Sequence, residues 1–168
     1  MILGVAVSGS AATAEAVPEP TFAGYLVNQA DSRCLTRTVP TSPHATKAQL
    51  APCLYDRTQV WSESATVATP KGGGEPYFRL TDYLGTCLTA NGSGRVTARR
   101  CEDPANPVRE PENDWIRVPV SPGVYRLLNR RSGTVLAADP THPSQVRVAA
   151  ASDGDPSQLW HLLPHDAI

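Results

Sequence analysis

The sequence predicts an all-β protein of three repeated units, each of about 50 residues, that share one core. Short apolar runs bounded by Gly, Pro, Asn, Asp and Ser fill the chain, and no long apolar-periodic helix interrupts them. All three tryptophans follow an amide side chain by two residues. A second landmark, a short strand that begins with Cys-Leu or Val-Leu, repeats with nearly the same period. Two landmarks that share one period indicate a true repeat.

The spacing of the landmarks sets the boundaries of the units. The tryptophans are 54 and 45 residues apart, and the strand starts are 53 and 48 residues apart. The predicted units are therefore residues 23–65, 75–119 and 122–163. The landmarks are Trp61, Trp115 and Trp160, and Cys34, Cys87 and Val135.

The repeated tryptophans have a structural explanation. A unit of this size cannot bury its own apolar face, so one indole from each unit is expected to line the shared core. The amide two residues earlier should project from the same side of the strand and satisfy backbone groups at the adjacent turn. These amides belong to Gln59, Asn113 and Gln158.

The four cysteines follow the same repeat. Each of the first two units has a second cysteine after the strand-start cysteine, and the third unit has lost both members together. Four cysteines allow three pairings, and the repeat selects Cys34–Cys53 and Cys87–Cys101. Each bridge should contribute about 3 kcal/mol by constraining the unfolded chain, and both need an oxidising compartment, which predicts export. In the third unit Val135 and either Ala150 or Ala151 stand in their places.

The N-terminal segment supports export as well. Residues 1–16, "MILGVAVSGSAATAEA", begin apolar and contain two small-x-small cleavage patterns. No charged region precedes the apolar run, so we interpret the segment as a signal peptide whose start is trimmed or wrongly assigned. The run is too short to span a bilayer. Residues 17–22 are expected to form a linker and residues 164–168 a tail, so we predict a secreted protein; the high Ala, Arg and Pro content is typical of a GC-rich bacterium.

Charge and motifs exclude several classes of function. The net charge of -1 and the pI of about 6.4 provide no field for nucleic acid or an anionic membrane surface. The chain has no G-x-S-x-G, H-E-x-x-H or C-x-x-C pattern. His161 and His165 have i, i+4 spacing, but Pro164 breaks any helix between them. We therefore expect no catalytic residue, no cofactor and no metal site.

The three units resemble a known family. "CLT…AQLAPC…TQVW", "CLT…RVTARRC…NDW" and "TVLAADPTHPSQVRVAAASDGDPSQLW" look like ricin-B-type β-trefoil lectins, whose hallmark is a Gln-x-Trp triplet and an internal disulfide in each unit. The resemblance covers residues 23–163; unit two departs from it with Asn113 and the insertion "EDPANPVREPEND". It implies three four-stranded units around a pseudo-threefold axis, closed by a barrel and a hairpin cap, and a carbohydrate binder, often of galactose-type sugars.

The resemblance also places three sugar pockets, here called the usual pockets. Each normally has an Asp directly after Cys-Leu, to accept hydrogen bonds from sugar hydroxyls, and an aromatic ring shortly before the second cysteine, to stack on the sugar. This sequence lacks both groups in every unit. The acid positions hold Thr36, Thr89 and Ala137, and the ring positions hold Ala51, Arg99 and, within one residue, Ala149.

Other residues could still contact a sugar. Asp139 lies two residues beyond the acid position of unit three, and Tyr55 could supply a ring, although a turn aspartate and a half-buried tyrosine are the simpler interpretations. The candidate glycan-binding residues are Gln49, Gln59, Tyr55, Asp139, Arg147 and Gln158.

The sequence therefore favours a secreted, non-enzymatic, lectin-like recognition module. Because the usual pockets are degenerate, we expect an accessory subunit that binds a partner protein, or an atypical glycan; a galactose-binding lectin is the alternative. The lectin-like subunits of multi-part bacterial toxins, such as cytolethal distending toxin, are similar in plan. The insertion of unit two and the "AVPEPT" arm are candidate contact points. Protease inhibitors of the other trefoil type are a third class, from which the Gln-x-Trp triplets point away.

Overall fold

The computed structural model describes residues 22–38, 47–64, 76–101 and 111–167. The predicted signal peptide, the linker up to residue 21 and most of the unit-two insertion lie outside the described residues. Two disulfides, Cys34–Cys53 and Cys87–Cys101, join the pairs that the repeat selects.

The described residues form twelve strands, four in each predicted unit. Unit one contains β1 (Ala23–Asn28), β2 (Cys34–Arg37), β3 (Ala48–Ala51) and β4 (Val60–Glu63). Unit two contains β5 (Leu80–Asp82), β6 (Thr86–Ala90), β7 (Val96–Arg100) and β8 (Trp115–Ser121). Unit three contains β9 (Val124–Asn129), β10 (Val135–Ala138), β11 (Val146–Ala149) and β12 (Trp160–Pro164).

The turn between the first and second strands closes in the same way in each unit. An amide or carboxylate at the end of the first strand accepts a hydrogen bond from the backbone N–H two residues on, an Asx turn. The residue two positions before Cys34, Cys87 or Val135 has a left-handed backbone. Glycine adopts this conformation at no steric cost. The capping residues are Asn28, Asp82 and Asn129, and the left-handed residues are Ser32, Gly85 and Gly133.

Six strands close into a barrel. Strand β1 pairs with β12 and β4, β4 with β5, β8 with β9, and β9 with β12. An antiparallel bridge between Phe78 and Trp115 joins the start of unit two to β8 and completes the ring. All six are first or last strands of a unit, so each unit contributes one pair.

The middle strands form three hairpins, β2–β3, β6–β7 and β10–β11, that cap one end of the barrel. The hairpins join one another through three bridges at equivalent positions, which makes a triangle around the pseudo-threefold axis. These bridges are Lys47–Thr97, Arg95–Arg147 and Gln145–Gln49. A six-stranded barrel with a triangular hairpin cap is a β-trefoil, so the predicted fold class is confirmed.

The three tryptophans meet in one core, as predicted. Each indole is fully buried, and its Nε1–H donates to the carbonyl of the leucine in the Cys-Leu or Val-Leu pair of its own unit, at 2.9 Å in every case. Buried leucines and smaller apolar residues from all three units surround the indoles. The pairs are Trp61 with Leu35, Trp115 with Leu88, and Trp160 with Leu136.

The position of the amides differs from the prediction. They do not lie on the strand beside the tryptophan, because each is the last residue of a short 3-10 helix that precedes the strand. The Asp56 and Asp155 carboxylates cap two of these helices by accepting from the backbone N–H two residues on, a local bond that holds the chain out of the strand conformation. The helices are Arg57–Gln59, Pro111–Asn113 and Pro156–Gln158; a fourth follows β12 at His165–Ala167. Within the described ranges, no helix is long and apolar enough to cross a membrane.

We expect Trp160→Phe to lower the free energy of unfolding by about 2–4 kcal/mol, because it removes the hydrogen bond to the Leu136 carbonyl and leaves a void in the core. Urea unfolding followed by circular dichroism measures the change. Tyr83→Phe, at an exposed ring, is the control. A loss no larger than that of the control would contradict the role assigned to the indole.

Candidate functional site

The positions that the resemblance assigns to sugar pockets lie on the three hairpins. The position after Cys-Leu or Val-Leu lies opposite Gln49, Thr97 and Arg147 in the three units. The strand-start residue lies opposite Ala51 and Arg99 in units one and two, and Val135 lies opposite Ala149 in unit three. Ala149 is therefore the third ring position, and the second-cysteine position, two residues later, is Ala151.

In unit one the amide of Gln59 is fully engaged. Its Oε1 accepts hydrogen bonds from the backbone N–H groups of Leu54 at 2.8 Å and Tyr55 at 2.9 Å. Its Nε2 donates to the Thr36 hydroxyl and to the Pro52 carbonyl, both at 2.9 Å. Two donors and two acceptor positions are the whole capacity of an amide, and Gln59 is 1% exposed. The amide therefore holds the turn that follows Cys53.

Units two and three repeat this bonding in part. The Asn113 Oδ1 accepts from the Thr89 hydroxyl at 2.7 Å, and its Nδ2 donates to the Cys101 carbonyl at 3.3 Å. The Gln158 Oε1 accepts from the Ser152 N–H, and its Nε2 donates to the Ala150 carbonyl, both at 2.9 Å. The predicted role of the amides at the turn is thus present in all three units.

The ring positions offer no surface on which a sugar can stack. Ala51 and Ala149 present only methyl groups. The Arg99 guanidinium lies 2.7 Å from the Glu112 carboxylate, an ion pair at the surface of unit two. None of these side chains can replace an aromatic face.

The other candidate residues differ in their surroundings. Gln49 is half-buried opposite Thr36, and Arg147 is exposed opposite Ala137. The Tyr55 carbonyl accepts from the Tyr25 hydroxyl at 3.0 Å, and its ring is 42% exposed. That Gln49, Gln59, Tyr55, Asp139, Arg147 and Gln158 bind a glycan stays a prediction.

Asp139 caps the turn between β10 and β11. Its Oδ1 accepts from the Thr141 hydroxyl at 2.7 Å, from the Thr141 N–H at 2.8 Å and from the His142 N–H at 3.3 Å. These bonds, the hydroxyl above all, lower the pKa of the carboxyl to about 2. Asn91 caps the turn between β6 and β7 in the same way, so Asp139 has the role that the simpler interpretation gave it.

A second concave site lies at the barrel end, and the sequence analysis missed it. Two of its lining residues, Arg117 and Leu162, occupy equivalent positions in units two and three, two residues after the tryptophan. The residue at this position in unit one is Glu63. The cleft has a volume of about 600 Å³. We call it the axial cleft; its lining residues are Phe22, Ala23, Arg117, Gly123, Tyr125, Leu162, Pro164, His165 and Asp166.

An ion pair between half-buried Arg117, which lines the axial cleft, and buried Glu63 lies beside the cleft. The Arg117 Nε lies 3.1 Å from the Glu63 Oε1, and the Glu63 side chain is 4% exposed. The Phe22 N–H donates to the Glu63 Oε2 at 3.3 Å. Burial raises the pKa of the Glu63 carboxyl, and the opposing effects of the Arg117 charge and the Phe22 amide are smaller. The Arg117 guanidinium also lies 5.9 Å from the Phe78 ring centroid and 5.7 Å from that of Tyr125.

The described side chains form no group of three or more His, Cys, Asp or Glu that could hold a metal ion.

Solved structures show what the chain is similar to. ThreeFoil, a designed threefold-symmetric protein, has a TM-score of 0.65 at 17% identity over 84% of this chain and 97% of that chain. SeviL, solved with asialo-GM1 saccharide, has a TM-score of 0.62 at 15% identity over 86% and 98%. The cytolethal distending toxin of Haemophilus ducreyi has a TM-score of 0.64 at 20% identity over 94% and 93%. No protein-family model and no curated protein matches the chain. The likeness is one of fold.

We expect Gln59→Ala to lower the free energy of unfolding by about 2–3 kcal/mol, because it leaves the Leu54 and Tyr55 N–H groups without an acceptor. Gln49→Ala, at a half-buried amide of the same pocket, should cost less than about 1 kcal/mol. Paired urea titrations measure both. Equal losses would show that the Gln59 amide does not organise the turn.

The Asp139 carboxylate should stabilise the fold in a pH-dependent way. Because its folded pKa is below its usual 3.8, its contribution is complete above that pH and is lost as the pH falls toward about 2. An NMR titration of the Asp139 carboxyl carbon should give a midpoint near 2, and Asp139→Asn should remove this part of the acid-induced loss of stability. A midpoint near 3.8 would contradict the hydrogen bonding described.

Proposed function

We propose that the chain is a secreted, non-enzymatic, lectin-like recognition module of the ricin-B type, which binds its target outside the three usual pockets. The target is a partner protein, as in a secreted toxin complex, or an atypical glycan. One observation carries the proposal: the pockets have Thr36, Thr89 and Ala137 where the acid belongs, and no pocket has a ring.

The energies of the missing contacts favour a target outside the usual pockets over simple galactose binding. A hydrogen bond to a charged group contributes about 1.5–3 kcal/mol, so the loss of the carboxylate alone lowers affinity by about tenfold or more. The amides that remain in the pockets do not compensate, because Gln59 and Gln158 already bond backbone groups of their own turns.

Similar solved structures support the proposal of an accessory subunit. The H. ducreyi toxin chain and this chain cover more than nine-tenths of each other, and the described residues form a single trefoil. A toxin-like assembly would use such a trefoil as an accessory subunit. Two disulfides favour an oxidising, extracellular compartment.

A galactose-type lectin is the second candidate. Gln49 favours it, because this half-buried amide lies opposite Thr36, where the family places a polar contact to the sugar.

The proposal predicts that the oxidised protein, at micromolar concentration, gives no galactose-competable signal on a glycan array. A competable signal that Gln49→Ala removes would overturn it in favour of the lectin.

A graft tests the alignment of the pocket. Thr36→Asp with Ala51→Trp restores the missing acid and ring in unit one, so the double variant should gain measurable galactose affinity by isothermal titration calorimetry. Ala149→Trp, a ring without the acid, is the matched control and should gain little. A folded double variant without any gain would show that these positions do not form a sugar pocket.

A further inference from the structure

The residues two positions after each tryptophan break the symmetry of the barrel. They project to the same side of the strand as the indole, so they form the next layer of the barrel below the core. An apolar residue suits such a layer, and Leu162 is one. Its equivalents are Glu63 and Arg117, which pair at 3.1 Å. The Glu63 side chain is 4% exposed and that of Arg117 25%, and an ion pair withdrawn from water contributes little to stability compared with apolar residues of similar size.

The ion pair orients a donor toward the axial cleft. Within the described ranges, Arg117 has its Nε on Glu63 and its guanidinium against the Phe78 and Tyr125 rings. The side chain is 25% exposed and lines the cleft. A guanidinium carries further N–H donors on its terminal nitrogens, so Arg117 can donate to a ligand in the cleft while its Nε stays beside Glu63.

The rest of the cleft has mixed chemistry. Phe22, Tyr125 and Pro164 supply apolar and aromatic surface. His165, stacked 5.8 Å from the Tyr25 ring, and Asp166 supply polar groups from the 3-10 helix after β12. The volume of about 600 Å³ lies in the range of small-molecule sites. A carboxylate, a ring and a guanidinium donor thus line the same cleft, and a carboxylate and a ring are the groups that the usual pockets lack.

We propose that the axial cleft binds an uncharged hexopyranose unit. The Asp166 carboxylate accepts hydrogen bonds from sugar hydroxyls, Arg117 donates to a ring or hydroxyl oxygen, and Tyr125 packs against the apolar face of the sugar. Glu63 neutralises Arg117, so the cleft offers no excess positive charge to an acidic sugar. This inference rests on the proposed function, of which it specifies the glycan and the surface.

The test is an NMR titration of the labelled, oxidised protein with the methyl glycosides of galactose, glucose, mannose and N-acetylglucosamine at millimolar concentration. We expect at least one glycoside to shift the amides of Gly123 and Asp166 and to leave Gly94, in the hairpin cap, unchanged. Asp166→Asn, an exposed substitution of equal size, should weaken that binding about tenfold or more. Asp153→Asn, at an exposed carboxylate outside the cleft, should leave it unchanged.

The outcomes separate the inference from the proposed function. No shift with any glycoside, or equal binding by Asp166→Asn, overturns the axial site and leaves a partner protein as the target. Shifts at the hairpins that Gln49→Ala removes overturn the proposed function itself, because a usual pocket then binds sugar. A clear preference for sialyllactose over lactose at Gly123 overturns the assignment of an uncharged ligand.

Discussion

The fold depends on a hydrogen bond that occurs three times, from a buried indole N–H to a leucine carbonyl. In unit one it joins Trp61, at the barrel end of the unit, to Leu35, in the cap hairpin. A buried carbonyl without a partner is costly, and the indole supplies that partner from an otherwise apolar side chain in the core. The bond therefore sets the position of each hairpin on the barrel. The amide two residues before the indole then holds the turn beside that hairpin.

This arrangement separates the scaffold from sugar binding. In unit one the Gln and Trp side chains of the Gln-x-Trp triplet point into the protein: the Gln59 amide bonds its turn, and the Trp61 indole lies in the core. The ring positions Ala51, Arg99 and Ala149 are half-buried or exposed on the hairpins, whereas the acid position of unit one, Thr36, is buried. Thr36 keeps a hydroxyl for the Gln59 amide, so the loss of the acid leaves no buried group unsatisfied. The hydrogen bonds that hold these turns and hairpins therefore do not require an acid or a ring on the hairpins.

The sequence predicts those features of the structure that recur from unit to unit. Fold class and the core tryptophans follow from landmarks that recur in each unit, and the two disulfides follow from cysteine pairs that recur in units one and two. The 3-10 helices were missed because the bond from Asp56 to the Thr58 N–H competes locally with the strand and leaves no periodic signal. Ala149 and Ala151 could be placed only from the pairing with Val135. Glu63 and Arg117 had a readable signal in "VWSE" and "DWIR", but their contact depends on barrel closure, which spacing alone does not give.

The pseudo-threefold symmetry explains why the hairpins and the barrel end differ. Each hairpin position exists three times, and its residue can differ from unit to unit; Arg99, for example, pairs with its neighbour Glu112. The barrel axis exists once, and side chains from all three units meet there. Three identical apolar residues would close that end of the barrel. The repeated position instead holds an acid, a base and an apolar residue, namely Glu63, Arg117 and Leu162. Because the three residues differ, a guanidinium lines the axial cleft, which three identical apolar residues would not provide.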